Sequence, residues 1–463
     1  MNYETLSIIL IYRSAGEIPQ IFDKYIIKVL VAPNIEHHKS VYGDTIQLYI
    51  DLRHYEKLET SYNLSYEQIE QYRATQVKIE HGLQRQYSDM GVIQQLYYNA
   101  LGYWLKIFEM KIDALIFCGI NHSSPIDCLP IDISISKNIP TFNIATTLGF
   151  NNNFIMQASC LNTKTFINTP TSTNSKELYR FIEQLQEYYK QRLDNKNKLC
   201  FKHPLKFFLK NQVLTFPHFI YNIFAFNKRS FKADFVIEKQ EKFVSATFVK
   251  KLKRYYDKIS ESPSPNENYI YYSLHQEPEA SIMATTTLNS QLLIIQWISE
   301  YLPKGWKLYI KEHPNQFFVY DEHDYFLKNI HFYRSPMFYK QIKSLPNTRL
   351  IDINISSKLL IQNARAICSI CGSALLEGVI YHKPIIIFGN NTLFLELLKE
   401  SFAITSKTQL KHAIDKIIEG GGVYSYSDFD VIVSQFTKLC NHLNYKENIE
   451  HFISSIYYTL QSH

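Results

Sequence analysis

The chain has 463 residues, 46% of them hydrophobic and 20% charged. That is room for two or three domains with cores of their own, and it excludes a disordered, collagenous or coiled-coil protein. Only 14 residues are glycine, less than half the ordinary share of about 7%, and neither GxGxxG nor a GxxxxGK phosphate loop occurs. The 49 Lys and Arg against 43 Asp and Glu leave +6, a mild bias toward anionic partners that does not require nucleic acid.

The seven cysteines are odd in number and scattered, the pattern of a reduced chain, for which the cytoplasm is the default. The opening stretch MNYETLSIILIYRSAG has no basic n-region and no small-residue cleavage site, and it reads as a buried strand. No run reaches the roughly 18 apolar residues of a membrane span, so any membrane contact is expected to be peripheral.

In chain order, residues 6–12 (LSIILIY), 25–32 (YIIKVLVA), 46–51 (IQLYID), 113–119 (DALIFCG) and 140–145 (PTFNIA) are short apolar runs of the kind that fill parallel strands. Residues 65–84, 91–109 and 126–137 carry apolar positions at helical spacing. The alternation predicts an α/β unit over 1–165.

Residues 166–265 differ: a helical opening is followed by a basic and aromatic stretch. Between Lys196 and Lys232 lie eight Lys or Arg, no acidic residue and nine Phe or Tyr. Two readings stay open, an aromatic inter-domain helix pair with solvated lysines, or a surface that lies on anionic lipid or holds a polyanionic or lipid-linked acceptor. ESPSPNEN (261–268) reads as a linker, because Pro263 and Pro265 block helix continuation.

A second alternating unit covers 266–405, with strands at 268–274, 307–312, 348–353, 366–371 and 384–389 and helices at 289–302, 356–364 and 373–382. Helices follow from 406 to 463. Two such units create a cleft between the carboxyl ends of two sheets, where α/β folds bind ligands.

The candidate site residues fall at those ends. Strand 268–274 runs into His275, Gln276, Glu277 and Glu279, placed to touch phosphate or sugar. Strand 307–312 ends at His313, which the following Pro314 keeps extended and out of a helix, so that its ring can donate to a phosphate. In 366–389, Gly372 allows close backbone approach, Ser373 is positioned as an N-cap opening a helix toward an anion, and Glu377 shares its face. Cys368 and Cys371 have no second pair to complete a zinc site. In the first unit, His122 and Asp127 are candidates for the base that activates an acceptor hydroxyl, with Arg13, Glu17, Ser123 and Ser124 nearby.

Taken in order, YYSLHQEPEAS, LPKGWKLYIKEHP and CGSALLEGVIYHKPIIIFG resemble the motifs of the capsule polysaccharide biosynthesis family, most closely over 268–390; DALIFCGINHSSPID matches more loosely. The resemblance implies a GT-B glycosyltransferase: two Rossmann-like domains facing a cleft, C-terminal helices, and no cofactor or essential metal. It implies a nucleotide-sugar donor in the second domain and a glycan or lipid-linked acceptor in the first. By position, His313 would meet the donor phosphate, Gly372, Ser373 and Glu377 the nucleotide, and Gln276 and Glu279 the sugar. In Kdo-transferring members the donor is CMP-linked. Ser281-Ile282 and Cys371-Gly372-Ser373-Ala374 depart from the family's usual residues. The implied reaction builds a capsule or surface glycan at the cytoplasmic face of the inner membrane. The alternatives are a sugar-nucleotide epimerase, a polyol-phosphate transferase, or a non-catalytic assembly or export protein.

Overall fold

The computed structural model describes residues 6–167 and 248–461 with short interruptions, chiefly 120–123, 278–281, 318–329, 390–401 and 423–439, and only a few helical positions of 168–247. The 196–232 stretch, His122 and Glu279 lie outside the described residues.

The first sheet contains β1 (Ser7–Tyr12), β2 (Ile26–Ala32), β3 (Leu48–Asp51), β4 (Ala114–Cys118), β5 (Thr141–Phe150), β6 (Asn153–Cys160) and β7 (Thr165–Phe166). β1 is buried at all six positions, as expected of a central strand covered by helices on both faces. The parallel order is β3-β2-β1-β4-β5, the Rossmann arrangement. The strand expected at 140–145 runs on to Phe150 and turns back as β6, an antiparallel hairpin that the apolar pattern did not announce.

The second sheet contains β8 (Asn268–Ser273), β9 (Trp306–Lys311), β10 (Thr348–Ile351), β11 (Ala366–Ser369), β12 (Ile385–Ile387) and β13 (Phe402–Ala403). All its pairings are parallel and its order is β10-β9-β8-β11-β12-β13, the same Rossmann order over six strands. Side-chain caps start several helices: Ser290, Ser335 and Ser356 each accept from a backbone N–H three residues on.

The expected boundaries shift in two places. Helix 248–259 buries Val249, Leu252 and Tyr256 in the core of the second sheet, and Glu261 bonds to the β10 edge through Leu350 and Asp352, so 248–268 is built into the second unit. The C-terminal segment divides. Helix Lys407–Ile418 packs Leu410, Ala413 and Ile414 onto the second sheet, whereas helix Tyr445–Gln461 buries Ile449, Phe452, Ile453 and Ile456 with the first. β14 (Cys440–Asn441) joins β6 antiparallel. The chain thus ends on the unit where it began. No helix among the described residues is long and apolar enough to cross a membrane.

Candidate functional site at the two strand-order reversals

In an open α/β sheet, ligands bind beyond the carboxyl ends of the strands where the strand order reverses. That point lies between β1 and β4 in the first sheet and between β8 and β11 in the second. A side-chain pair spans each.

In the second sheet, the buried His275 follows β8, and its Nε2 lies 3.0 Å from Ser369 Oγ at the end of β11. The Cys371 N–H donates to the same Nε2 at 3.3 Å, and the Gly372 N–H donates to Ser369 Oγ at 3.3 Å. An N–H donor at Nε2 makes that nitrogen an acceptor and puts the ring proton on Nδ1. A Cβ at position 372 would stand 2.9 Å from Ser369 Oγ and 3.4 Å from His275 Cε1, so only glycine lets the turn close on the imidazole.

The loops after β8 and β9 are locked together by a buried ion cluster. Arg334 Nε donates to Glu312 Oε2 at 2.8 Å, one terminal nitrogen donates to Glu277 Oε2, and the other to the His275 carbonyl at 2.9 Å. The Tyr339 hydroxyl donates to Glu312 Oε2 at 2.6 Å, and Glu312 Oε1 accepts the His313 N–H at 2.8 Å. Gln316 bonds both the N–H and the C=O of Glu277, each at 2.8 Å. Burial pulls the Arg334 guanidinium down, but the charges of Glu312 and Glu277 outweigh it and hold the group above its ordinary range.

Lys311, the last residue of β9, is buried and donates to the Ile355 carbonyl at 2.6 Å and to Ser357 Oγ at 3.0 Å. Burial lowers its pKa to about 8, opposed by the negative charges of Glu377 and Asp352.

In the first sheet, Arg13 follows β1 and its guanidinium pairs with Asp127 at the start of helix Cys128–Ser136. Gly119 after β4 has φ +148, and a Cβ there would fall 2.7 Å from Arg13 Cδ. The arginine lies flat against that backbone.

These positions bear on the expected site residues one by one. His313 is half-buried at the carboxyl end of β9, extended before Pro314, and Gly372 and the exposed Ser373 lie beyond β11. β9 and β11 flank β8, so the two loops are two strand spacings apart, about 10 Å. Gln276 is half-buried between them. Glu377 is half-buried and faces Lys311 and Tyr271 electrostatically.

Several expectations are corrected. Ser373 is in helical conformation with no side-chain capping bond; Ser369 Oγ instead takes the Gly372 N–H that was expected to face an anion. His275 is turned inward and its Nε2 is engaged by the 369–371 turn. Asp127 is wholly buried beneath Arg13, so it does not reach an acceptor hydroxyl as a base.

Sequence reading missed Arg334, Glu312, Gln316, Tyr339 and Ser369. Glu312 alone carried a signal, as a carboxylate at the end of the apolar run KLYIKE. Arg334 sits in an irregular segment, Tyr333 to Ser335, without any periodic pattern.

The site and fold together define a class: two Rossmann-like units whose second sheet carries the more elaborated carboxyl edge. No family model and no curated protein matches the chain. Among solved structures it is similar to a UDP-GlcNAc 2-epimerase from Neisseria meningitidis bound to UDP-GlcNAc, at 12% identity and TM-score 0.24 over 97% of this chain and 99% of that one. It is similar to the KpsC beta Kdo 2,7 transferase of Thermosulfurimonas dismutans at 10% identity and TM-score 0.27, over 76% and 88%. The N-terminal domain of Candida albicans trehalose-6-phosphate phosphatase aligns at 9% identity and TM-score 0.31 over 100% and 98%.

Proposed function

We propose that the protein is a glycosyltransferase that moves a sugar from a nucleotide-sugar onto a glycan or lipid-linked acceptor of a capsule or other surface polysaccharide. The observation that carries this reading is the single tied edge formed by the loops after β8, β9 and β11. Arg334 joins the first two, His275 joins the first to the third, and His313 and Ser373 remain at least partly accessible along it.

In this reading the donor phosphate lies between His313 and the 372–373 turn. The His313 ring donates to the oxygen on which charge develops as the sugar–phosphate bond breaks, which stabilises the leaving group without a step assigned to a metal. His275 positions the turn through Ser369 and does not touch substrate. Gln276 and Glu279 meet the sugar, and Glu377 the nucleotide. The acceptor binds on the first sheet, with His122 as its base and Arg13, held by Asp127, as a cation for an acidic acceptor. The finer form of the proposal has a CMP-linked acidic sugar such as Kdo as donor, and 196–232 as the contact with anionic lipid at the cytoplasmic face of the membrane.

A thermal-shift screen against CMP, UDP, GDP and CDP tests the donor step, because a ligand of the folded form alone raises its stability. One nucleotide should bind, and the matching sugar nucleotide should release it only when a glycan acceptor is added. His313→Ala should keep the fold and lose transfer. Turnover of donor alone would make the protein an epimerase, and full transfer by His313→Ala would overturn the assigned role.

A further inference from the structure

We infer that a second ligand site, for a small phosphate-bearing dianion, lies at the opposite, amino-terminal edge of the second sheet. A cavity of about 810 Å³ opens there, bounded by segment 263–268, the turns before β11 and β12, and Gly420-Gly421. Its volume suits a ligand the size of a sugar phosphate or a mononucleotide.

Two cations meet in this recess. Ile367 of β11 pairs in register with Ile385 of β12, and carrying that parallel register back two residues sets Arg365 beside Lys383, one strand spacing of about 4.8 Å apart. Like charges directly opposite each other on neighbouring strands repel. Among the described residues neither forms an ion pair. The carboxylate lining the cavity, Glu267, is committed to Arg349 and to the Tyr309 hydroxyl. Arg365, exposed at the mouth of the cavity, donates its Nε to the neutral Asn268 Oδ1 at 2.9 Å. Burial first, and then the Arg365 charge, lower the Lys383 pKa.

His382, next to Lys383 and also lining the cavity, closes helix Ala374–Ile380 in a left-handed cap at φ 53, where its N–H donates to the Val379 carbonyl and the Lys383 N–H to the Gly378 carbonyl. The rest of the lining includes the amide groups of Asn266 and Asn363. A recess with two adjacent cations, neutral hydrogen-bonding groups and one occupied carboxylate fits a phosphate monoester, whose double charge matches the pair. The four residues of β11 separate Arg365 from the 369–372 turn by about 13 Å, so this cavity and the proposed donor edge are different places.

The test is calorimetric titration of the full chain with inorganic phosphate, glucose 6-phosphate and glucose, for the unmodified protein, Arg365→Gln, Lys383→Gln and the double variant. Both phosphates should bind and glucose should not. The double variant should lose affinity roughly tenfold or more, keep its binding of the nucleotide found for the donor edge, and melt no lower than the parent because the repulsion is gone. Lys383→Gln alone serves should the double variant misfold. Absence of phosphate binding, equal binding by the variants, or a phosphate signal lost with His313→Ala and not with Lys383→Gln would overturn the inference. So would co-sedimentation with phosphatidylglycerol vesicles that depends on these two residues while the soluble phosphates give no heat, since the cations would then serve lipid headgroups.

Discussion

The two units share one strand order, yet each closes its reversal point differently. In the first, a charged pair spans it: Arg13 lies on the Gly119 backbone and is held by the buried Asp127. In the second, the imidazole of His275 spans it and collects Ser369 and Cys371, while the charges of Glu277, Glu312 and Arg334 sit in the adjacent loop junction. A glycine makes each closure possible. The first arrangement fixes one cation, whereas the second fixes three loops. Several loops are held rigid at once at the second edge, and pre-organised groups are those able to stabilise developing charge, which is why the proposed function puts the donor there.

The largest expected effect breaks that rigidity. Arg334→Met leaves Glu312 and Glu277 without their cation in a buried setting, and removing one partner of a buried ion pair costs about 3–5 kcal/mol. Urea unfolding should show this loss, with helix Tyr445–Gln461 and the first sheet retaining their protection in hydrogen exchange. A loss below about 1 kcal/mol, the range of a solvent-exposed pair, would mean that the cluster is not closed as described.

Asp127→Asn should cost less, about 1.5–3 kcal/mol, the worth of a hydrogen bond to a charged group, since Arg13 can still turn to water. If it matched or exceeded Arg334→Met, the contrast between the two edges would collapse. Gly372→Ala should cost about 1 kcal/mol by displacing Ser369 from Gly372 and His275, and should weaken nucleotide binding more than stability. Gly119→Ala should leave nucleotide binding unchanged.

The last effect is read as a pH slope. Lys311 has a folded pKa of about 8, below its ordinary 10.5, so between those values the unfolded chain binds more protons and stability rises with pH. The penalty for burying the charged ammonium is fully present below pH 8 and is relieved as pH rises toward 10.5. Relative to Lys311→Met, the parent should gain up to about 1.4 kcal/mol per pH unit across that window. A flat difference would remove the buried lysine from the account.

Much of the fold was legible because parallel strands covered on both faces are continuous apolar runs, and SIILIY and PIIIFG are such runs. The hairpin after β5 was not, because TTLGF and NFIMQ mix polar and apolar residues without clear alternation. The return of the last helix to the first sheet depends on long-range packing of Ile449, Phe452 and Ile453, which local periodicity does not encode. At the site, motif spacing marked His313, Gly372 and Ser373 at strand ends. Arg334 escaped because its importance comes from two carboxylates met in space, and the exposed Ser373 looked like a cap but makes no capping bond, while Ser369 takes the Gly372 N–H ahead of the helix.

The most direct test is a crystal structure of the protein with its bound nucleotide. The phosphate should lie within hydrogen-bonding reach of the His313 ring and of the 372–373 turn, at the carboxyl edge of the second sheet. A nucleotide seated on the first sheet beside Arg13, or bound with its phosphate remote from both His313 and Gly372, would contradict the account.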